Sequence, residues 1–232
     1  MSECIVLAGG LGTRLRSVVA DKPKCMAPIG DQPFLHYLLY YLHQQGITHA
    51  VLSLGYKSEQ VISWCESQQL PLRISFTVEP EPLGTGGGIV YAMQKVNGNK
   101  VFIVNGDTYF DVDLRAFDAF HNSRKSRLSL ALKPMQHFDR YGTVTLNAQQ
   151  QITAFHEKQF CEAGLINGGI YLTHKDYLHQ LLLPAQFSFE KAVLEPQAAA
   201  GDIYGFTSDT YFIDIGIPED YAAAQQHFSH SH

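Results

Sequence analysis

The sequence predicts an α/β fold: a Rossmann-like, mixed and mainly parallel sheet flanked by helices, with antiparallel strands added in the second half. Three observations predict it. Apolar runs alternate with helix signals through the first half, and glycine-rich turns sit beside these elements. After about residue 125 the rhythm changes to successive strand-like runs. Parallel strands buried on both faces read as continuous apolar runs, and their crossovers need helices.

The first run, residues 3–8, is short, apolar and followed at once by glycines, as a buried strand is before a ligand-facing turn. A helix is expected over about 34–45, "FLHYLLYYLHQQ", which Gly46 stops. Strand 49–54, a helix over about 57–68 and strand 72–78 continue the alternation. A helix over about 85–95 and the strand "KVFIVNGD" complete it. Beyond these, "RLSLALKPM", "YGTVTLN", "QITAFHEK" and "LINGGIYLT" read as added, partly antiparallel strands with turn residues between them. No fixed-period repeat, low-complexity tract or Pro/Gly/Ser linker divides the chain, so residues 1–232 are expected to form one domain.

Lys plus Arg number 17 against 22 Asp plus Glu, and a net charge of −5 gives no electrostatic footprint for nucleic acid. No apolar stretch approaches the ~20 residues of a spanning helix. Met1 leads directly into the first strand, without a charged segment or signal-type apolar run, so a cytoplasmic protein is expected. Cys4, Cys25, Cys65 and Cys161 are scattered singly, with no C-x-x-C pair, and read as free thiols of a reducing compartment. The sequence leaves the oligomeric state open; a homo-oligomer is compatible with it.

The chemistry begins at "CIVLAGGLGTRL". Gly9, Gly10 and Gly12 let the backbone turn without Cβ atoms, so that N–H groups from Leu7 and Ala8 through Thr13 can converge on an anion. The dinucleotide fingerprint fails because Leu15 stands where its third glycine belongs, and no Gly-Lys pair exists for a P-loop. Instead the loop carries Arg14, with a second cation, Lys24, in "DKPKCMAPIG". Two cations joined to a glycine loop suit a polyphosphate. A tight turn feeding a helix accounts for these residues equally well.

Open α/β sheets bind ligands beyond the carboxyl ends of their strands. Asp107 follows one such strand in "VNGDTYFD", and Asp214 in "TYFIDIGIPEDY" sits between a strand and a Gly-x-Pro helix start. Two strand-end carboxylates are what a hydrated Mg²⁺ usually receives from protein, although either Asp alone reads as a helix cap or turn former. In "EPEPLGTGGGIVYAM", Gly84, Gly86, Gly87 and Gly88, beside Thr85, let a flat ligand or its ribose lie against the backbone; alternatively they permit close helix packing. Glu79 can present a carboxylate to N–H donors on a base edge. "FHEK" supplies Glu157 and Lys158, and "INGGIY" supplies Asn167 and Gly168, which suit hydroxyl recognition and neutralisation of a phosphate monoester, or a solvated strand end.

Taken in order, "LAGGLGTRL", "KPKCMAPIGDQPFL", "EPLGTGGGI", "NGD", "EK", "NGGIY" and "DIGIPEDY" resemble the sugar-1-phosphate nucleotidyltransferase family, over about residues 4–224. Within that family, "HFDRYGTV", "GLINGGIYL" and "FSFE" are similar to the guanylyltransferase branch that acts on a heptose 1-phosphate. The resemblance implies transfer of GMP from GTP to the sugar 1-phosphate, with pyrophosphate leaving and GDP-heptose going to surface polysaccharide. It implies a nucleotide-binding part over about 1–115 and a sugar-phosphate part over about 116–232. Arg14 and Lys24 would hold phosphates, Asp107 and Asp214 would hold Mg²⁺, and Arg14, Lys24 and Asp107 would carry catalysis. The nucleotide would contact Leu7, Ala8, Gly9, Gly10, Gly12, Thr13, Glu79, Gly84 and Thr85. Tyr141, Gly142, Glu157, Lys158, Asn167 and Gly168 would hold the sugar phosphate. Cys25 departs from the pattern, because many relatives have proline after the lysine.

Four readings compete with this one. A mannose-1-phosphate guanylyltransferase or a uridylyltransferase would share the same motifs. A Rossmann dehydrogenase is disfavoured by Leu15. A non-catalytic sensor of sugar nucleotides would be expected to lose Arg14 or the metal carboxylates, and all are present.

Overall fold

The computed structural model describes residues 2–10, 15, 19 and 21–229. Its first half follows the expected alternation: β1 (Ser2–Leu7), the short β2 (Pro28–Ile29) and β3 (Gln32–Pro33), α1 (Phe34–Gln44), β4 (Ile47–Leu54), α2 (Ser58–Ser67), β5 (Arg73–Val78), α3 (Gly84–Ala92) and β6 (Lys100–Asn105). The expected helix over 85–95 is α3 plus a tighter 3-10 turn, Met93–Lys95. Then come β7 (Thr108–Phe110), α4 (Leu114–Ser123), β8 (Leu128–Phe138), β9 (Thr143–Leu146), β10 (Ile152–Phe155), β11 (Cys161–His174), α5 (Lys175–Gln180) and α6 (Glu195–Ala200). The chain ends through β12 (Ile203–Thr207), β13 (Phe212–Asp214) and α7 (Pro218–Ser229).

Nine strands form the main sheet in the order β10-β9-β11-β6-β1-β4-β5, with β8 pairing β11 and β12 beside that path. β6, β1, β4 and β5 are mutually parallel. β11 runs antiparallel to β6, β8 and β9, as the second-half rhythm predicts. Because the four parallel strands share one direction, their carboxyl ends open on one edge, and Ala8, Gly55, Glu79 and Gly106 follow them there.

The sheet is covered on both faces. Cys4, Val6, Leu38, Leu42, Leu52 and Phe117 belong to the core under α1, α2 and α4. Ile5, Val51, Ile89, Ile103, Leu130 and Tyr171 belong to the core under α3, α5 and α6. Alternate residues of β1 thus enter opposite cores, the period-two consequence of a strand buried on both sides. A third cluster around Ile29, Phe34, Ile213, Ile215, Tyr221 and Phe228 joins the β2–β3 hairpin to α7. Among the described residues, no helix is long and apolar enough to cross a membrane.

Candidate active site

Backbone bonds first bring the strand ends together. Ala8 N–H donates to Ser53 O at 2.9 Å, Gly106 N–H to Leu7 O at 2.9 Å, and Glu79 N–H to Leu54 O at 2.9 Å. Ala8 is buried beneath this edge, while Leu7, Gly9 and Gly10 line a cleft of about 370 Å³. Glu79, Gly84, Thr85 and Asp107 line it too, together with Ser53, Pro82, Asn105 and Glu190. Gly12, Thr13 and Arg14 lie outside the described residues.

The two carboxylates singled out in the sequence converge. β13 pairs antiparallel with β7, setting Asp214 opposite Thr108, and Ile215 N–H donates to Asp107 O at 3.0 Å. Lys24, at the start of the 3-10 turn Lys24–Met26, donates from Nζ to Asp107 Oδ2 at 2.6 Å and to Asp214 Oδ1 at 3.1 Å. Asp214 Oδ1 also accepts from Gly216 N–H at 2.8 Å. Lys24, expected on phosphate, here bridges the two carboxylates. That ammonium marks a place shaped for a cation, and two oxygen donors on short strands suit a hard ion that takes its other positions from phosphate and water. No cluster of three or more His, Cys, Asp or Glu able to hold a metal occurs among the described residues.

The second glycine turn is partitioned differently from expectation. Gly84 has φ +73°, and a Cβ there would lie 2.5 Å from Phe187 O, so only glycine opens α3 at this point. Gly86, Gly87 and Gly88, read from the sequence as either facing a ligand or permitting close packing, are buried, and their added Cβ atoms would strike the Phe187 ring, Ala185 O and Glu79 Oε1 respectively. These three glycines serve close packing, and Gly84 and Thr85 are left to border the cleft. Glu79, expected to read a base edge, commits Oε2 to the Leu83 N–H at 2.9 Å. Oε1 has no such backbone bond.

Five of the six residues expected around the sugar phosphate gather in a second cleft of about 320 Å³: Tyr141, Gly142, Glu157, Lys158 and Asn167. The sixth, Gly168, does not line it, being buried with its Cβ position 2.4 Å from the Phe110 ring. Its contribution is to let β11 pass over β7. Tyr141 accepts from Arg140 Nη2 at 2.8 Å. Burial, reinforced by the Asp214 charge, pushes its phenol up to about 12, so it stays a neutral donor. Asn167 donates to Tyr171 Oη at 2.9 Å and accepts from Gly169 N–H at 3.0 Å, which fixes its amide before any ligand arrives. Glu157 accepts from Lys191 Nζ at 3.3 Å, and both are exposed.

Asn105, Ser53, Glu190 and Lys191 were not assigned roles from the sequence, yet they border the clefts. The first and third stand inside the motifs "NGD" and "FSFE" quoted for the resemblance. Ser53 and Lys191 carry no such signal.

The chain matches the Nucleotidyl transferase family over residues 3–231. It is 48% identical over 228 residues to the D-glycero-alpha-D-manno-heptose 1-phosphate guanylyltransferase of Aneurinibacillus thermoaerophilus, covering 98% of this chain and 99% of the relative. A protein of the same description from Campylobacter jejuni is 45% identical, over 94% of this chain and 96% of its own. The crystal structure of HddC from Yersinia pseudotuberculosis complexed with GMP-PN superposes with a TM-score of 0.88 at 38% identity, over 98% of this chain and 100% of that one. A glycine-rich strand edge, a cation between paired carboxylates and a second polar cleft within one mainly parallel sheet agree with that likeness: the chain belongs to the nucleotidyl transferase family.

Proposed function

We propose that this protein transfers GMP from GTP to D-glycero-α-D-manno-heptose 1-phosphate, giving GDP-heptose and pyrophosphate, as a single cytoplasmic domain without nucleic-acid or membrane partners. The observation that carries the reading is the end-to-end likeness, 48% identical over 98% of this chain, to a guanylyltransferase of that description. The nucleotide occupies the cleft beside Gly9, Gly10, Gly84 and Thr85, and the sugar phosphate occupies the one beside Tyr141, Gly142, Glu157, Lys158 and Asn167.

In the reaction a phosphate oxygen of the sugar phosphate forms a bond to the α-phosphorus of GTP. The bond from that phosphorus to its bridging oxygen breaks, and pyrophosphate leaves with the electron pair. No covalent nucleophile is required, so the protein's task is alignment and neutralisation of charge. Asp107 and Asp214 would hold Mg²⁺, which would screen the phosphate oxygens and polarise the reacting phosphoryl group. Lys24, beside the carboxylates, would offer its ammonium to the triphosphate, and Arg14, placed by sequence alone, would supply a forked contact. Lys158 faces the phosphate of the acceptor. Tyr141 donates its phenolic O–H, and Asn167 offers the remaining amide hydrogen and lone pair.

A pyrophosphate-release assay with four NTPs and a panel of sugar 1-phosphates under Mg²⁺ tests the reading. GTP with the heptose 1-phosphate should give the highest kcat/KM. A site built to bond the extra CH(OH) of a heptose leaves polar groups unpaired when mannose binds, and discriminates on that account. Equal or better use of mannose 1-phosphate, or of UTP, overturns the assignment.

A further inference from the structure

Glu190 opens a five-residue π-helical turn, Glu190–Leu194, that runs directly into α6. Such turns are rare and gather at functional sites. Among the described residues, Glu190 alone lines both clefts. Its Oε2 accepts from Thr85 Oγ1 at 2.9 Å and from Ser188 Oγ at 2.8 Å, and Thr85 Oγ1 in turn accepts from Phe189 N–H at 2.9 Å. Two neutral hydroxyls therefore fix the direction of the carboxylate, and no ion pair with Glu190 occurs among the described residues. Oε1 has no hydrogen-bond partner among the described residues. A carboxylate in that state repels phosphate and attracts neutral O–H donors. The part of a ligand that passes it must be hydroxyl-rich.

We propose that Glu190 is a specificity-determining residue whose Oε1 accepts a hydrogen bond from a carbohydrate hydroxyl, of the nucleotide ribose or of the acceptor sugar, where the two ligands meet. The inference rests on the nucleotidyl-transfer reading above. Glu190→Gln tests it, since the retained carbonyl oxygen can still accept from Thr85 and Ser188, while an amide replaces the free acceptor with a donor.

Steady-state kinetics with GTP, 2′-deoxy-GTP, 3′-deoxy-GTP and deoxygenated sugar 1-phosphates separates the two sources. The variant should raise KM for one substrate about 10- to 100-fold. The wild type should be penalised by one deoxy analogue of that same substrate, and the variant should not be penalised further by it. A rise for GTP assigns the ribose; a rise for the sugar phosphate assigns the sugar. If Glu190→Gln does not fold, Thr85→Val and Glu190→Asp give the same readout, because each displaces Oε1 while keeping the charge. A variant with both KM values within twofold of wild type, or one still sensitive to every deoxy analogue, overturns the inference alone. Absence of turnover in the wild type overturns the functional reading and this inference together.

Discussion

Replacing Lys24 by Met keeps the bulk of the side chain and removes the ammonium between Asp107 and Asp214, contacts of 2.6 and 3.1 Å. The two accepting oxygens lie within about 6 Å of each other, where their repulsion at an effective dielectric of about 20 is of order 3 kcal/mol. Each charge-assisted bond adds about 1.5–3 kcal/mol at full burial. The Asp107 side chain is 36% exposed and that of Asp214 27%, so water screens much of this, and a net loss of about 2 kcal/mol is expected. For a chain of this size that is a fall in Tm of about 4–8 °C without divalent ions. Millimolar Mg²⁺ should raise the variant's Tm more than the wild type's, because the ion meets two bare carboxylates instead of competing with an ammonium. Differential scanning calorimetry with EDTA and then with Mg²⁺ reads both effects. An unchanged Tm in EDTA together with equal Mg²⁺ shifts would refute the reasoning.

Asp107→Asn should lower kcat about 10²-fold or more with the fold intact, because the amide can still meet Lys24 but binds Mg²⁺ poorly; circular dichroism and pyrophosphate release check the two halves. Gly84→Ala should destabilise the protein by about 1–3 kcal/mol, from the positive φ and the approach of Phe187 O, with an unchanged urea midpoint as the contrary result. Burial, with the charges of His174 and Lys100, holds His121 down to about 4 from 6.5. The native state then binds fewer protons than the unfolded chain between those values, so stability present above about pH 6.5 falls as pH drops towards 4, by up to about 3 kcal/mol. Urea titrations at several pH values should show a shallower slope over that window in His121→Leu, and an identical slope would count against the argument.

The alternating half was legible because each parallel strand is an unbroken apolar run, and because Gly46 and the glycines after residue 8 mark where elements stop. The strand-end carboxylates were legible as a pair in the company of the glycine loop, since either alone reads as a cap. What brings them together was not: Lys24 lies 83 positions from Asp107 and 190 from Asp214, and the β7–β13 pairing rests on three-residue strands too short to carry a period. Gly86 to Gly88 stayed open between a ligand platform and close packing because nothing local distinguishes a glycine that admits a ribose from one that admits Phe187. The packing of Gly168 was hidden for the same reason, with Phe110 more than fifty positions away in sequence. The bond from Leu83 N–H to Glu79 was not legible, because it belongs to a turn whose geometry Gly84 sets.

The segment around Phe187 explains why these failures cluster. Gly86 N–H donates to Phe187 O at 3.0 Å and Phe187 N–H to Leu83 O at 3.0 Å, so a stretch from the second half of the chain completes the first turn of α3. Thr85 adds a side-chain link to Glu190 three residues further on. The two clefts therefore share a wall that these bonds tie to the first turn of α3. For a reaction whose barrier falls mainly through alignment of two bound phosphates, such a wall converts packing into rate. On the proposed reading the buried glycines of α3 act through packing: their close approach to Phe187 and Ala185 holds the segment that sets the Glu190 carboxylate at the border of both clefts.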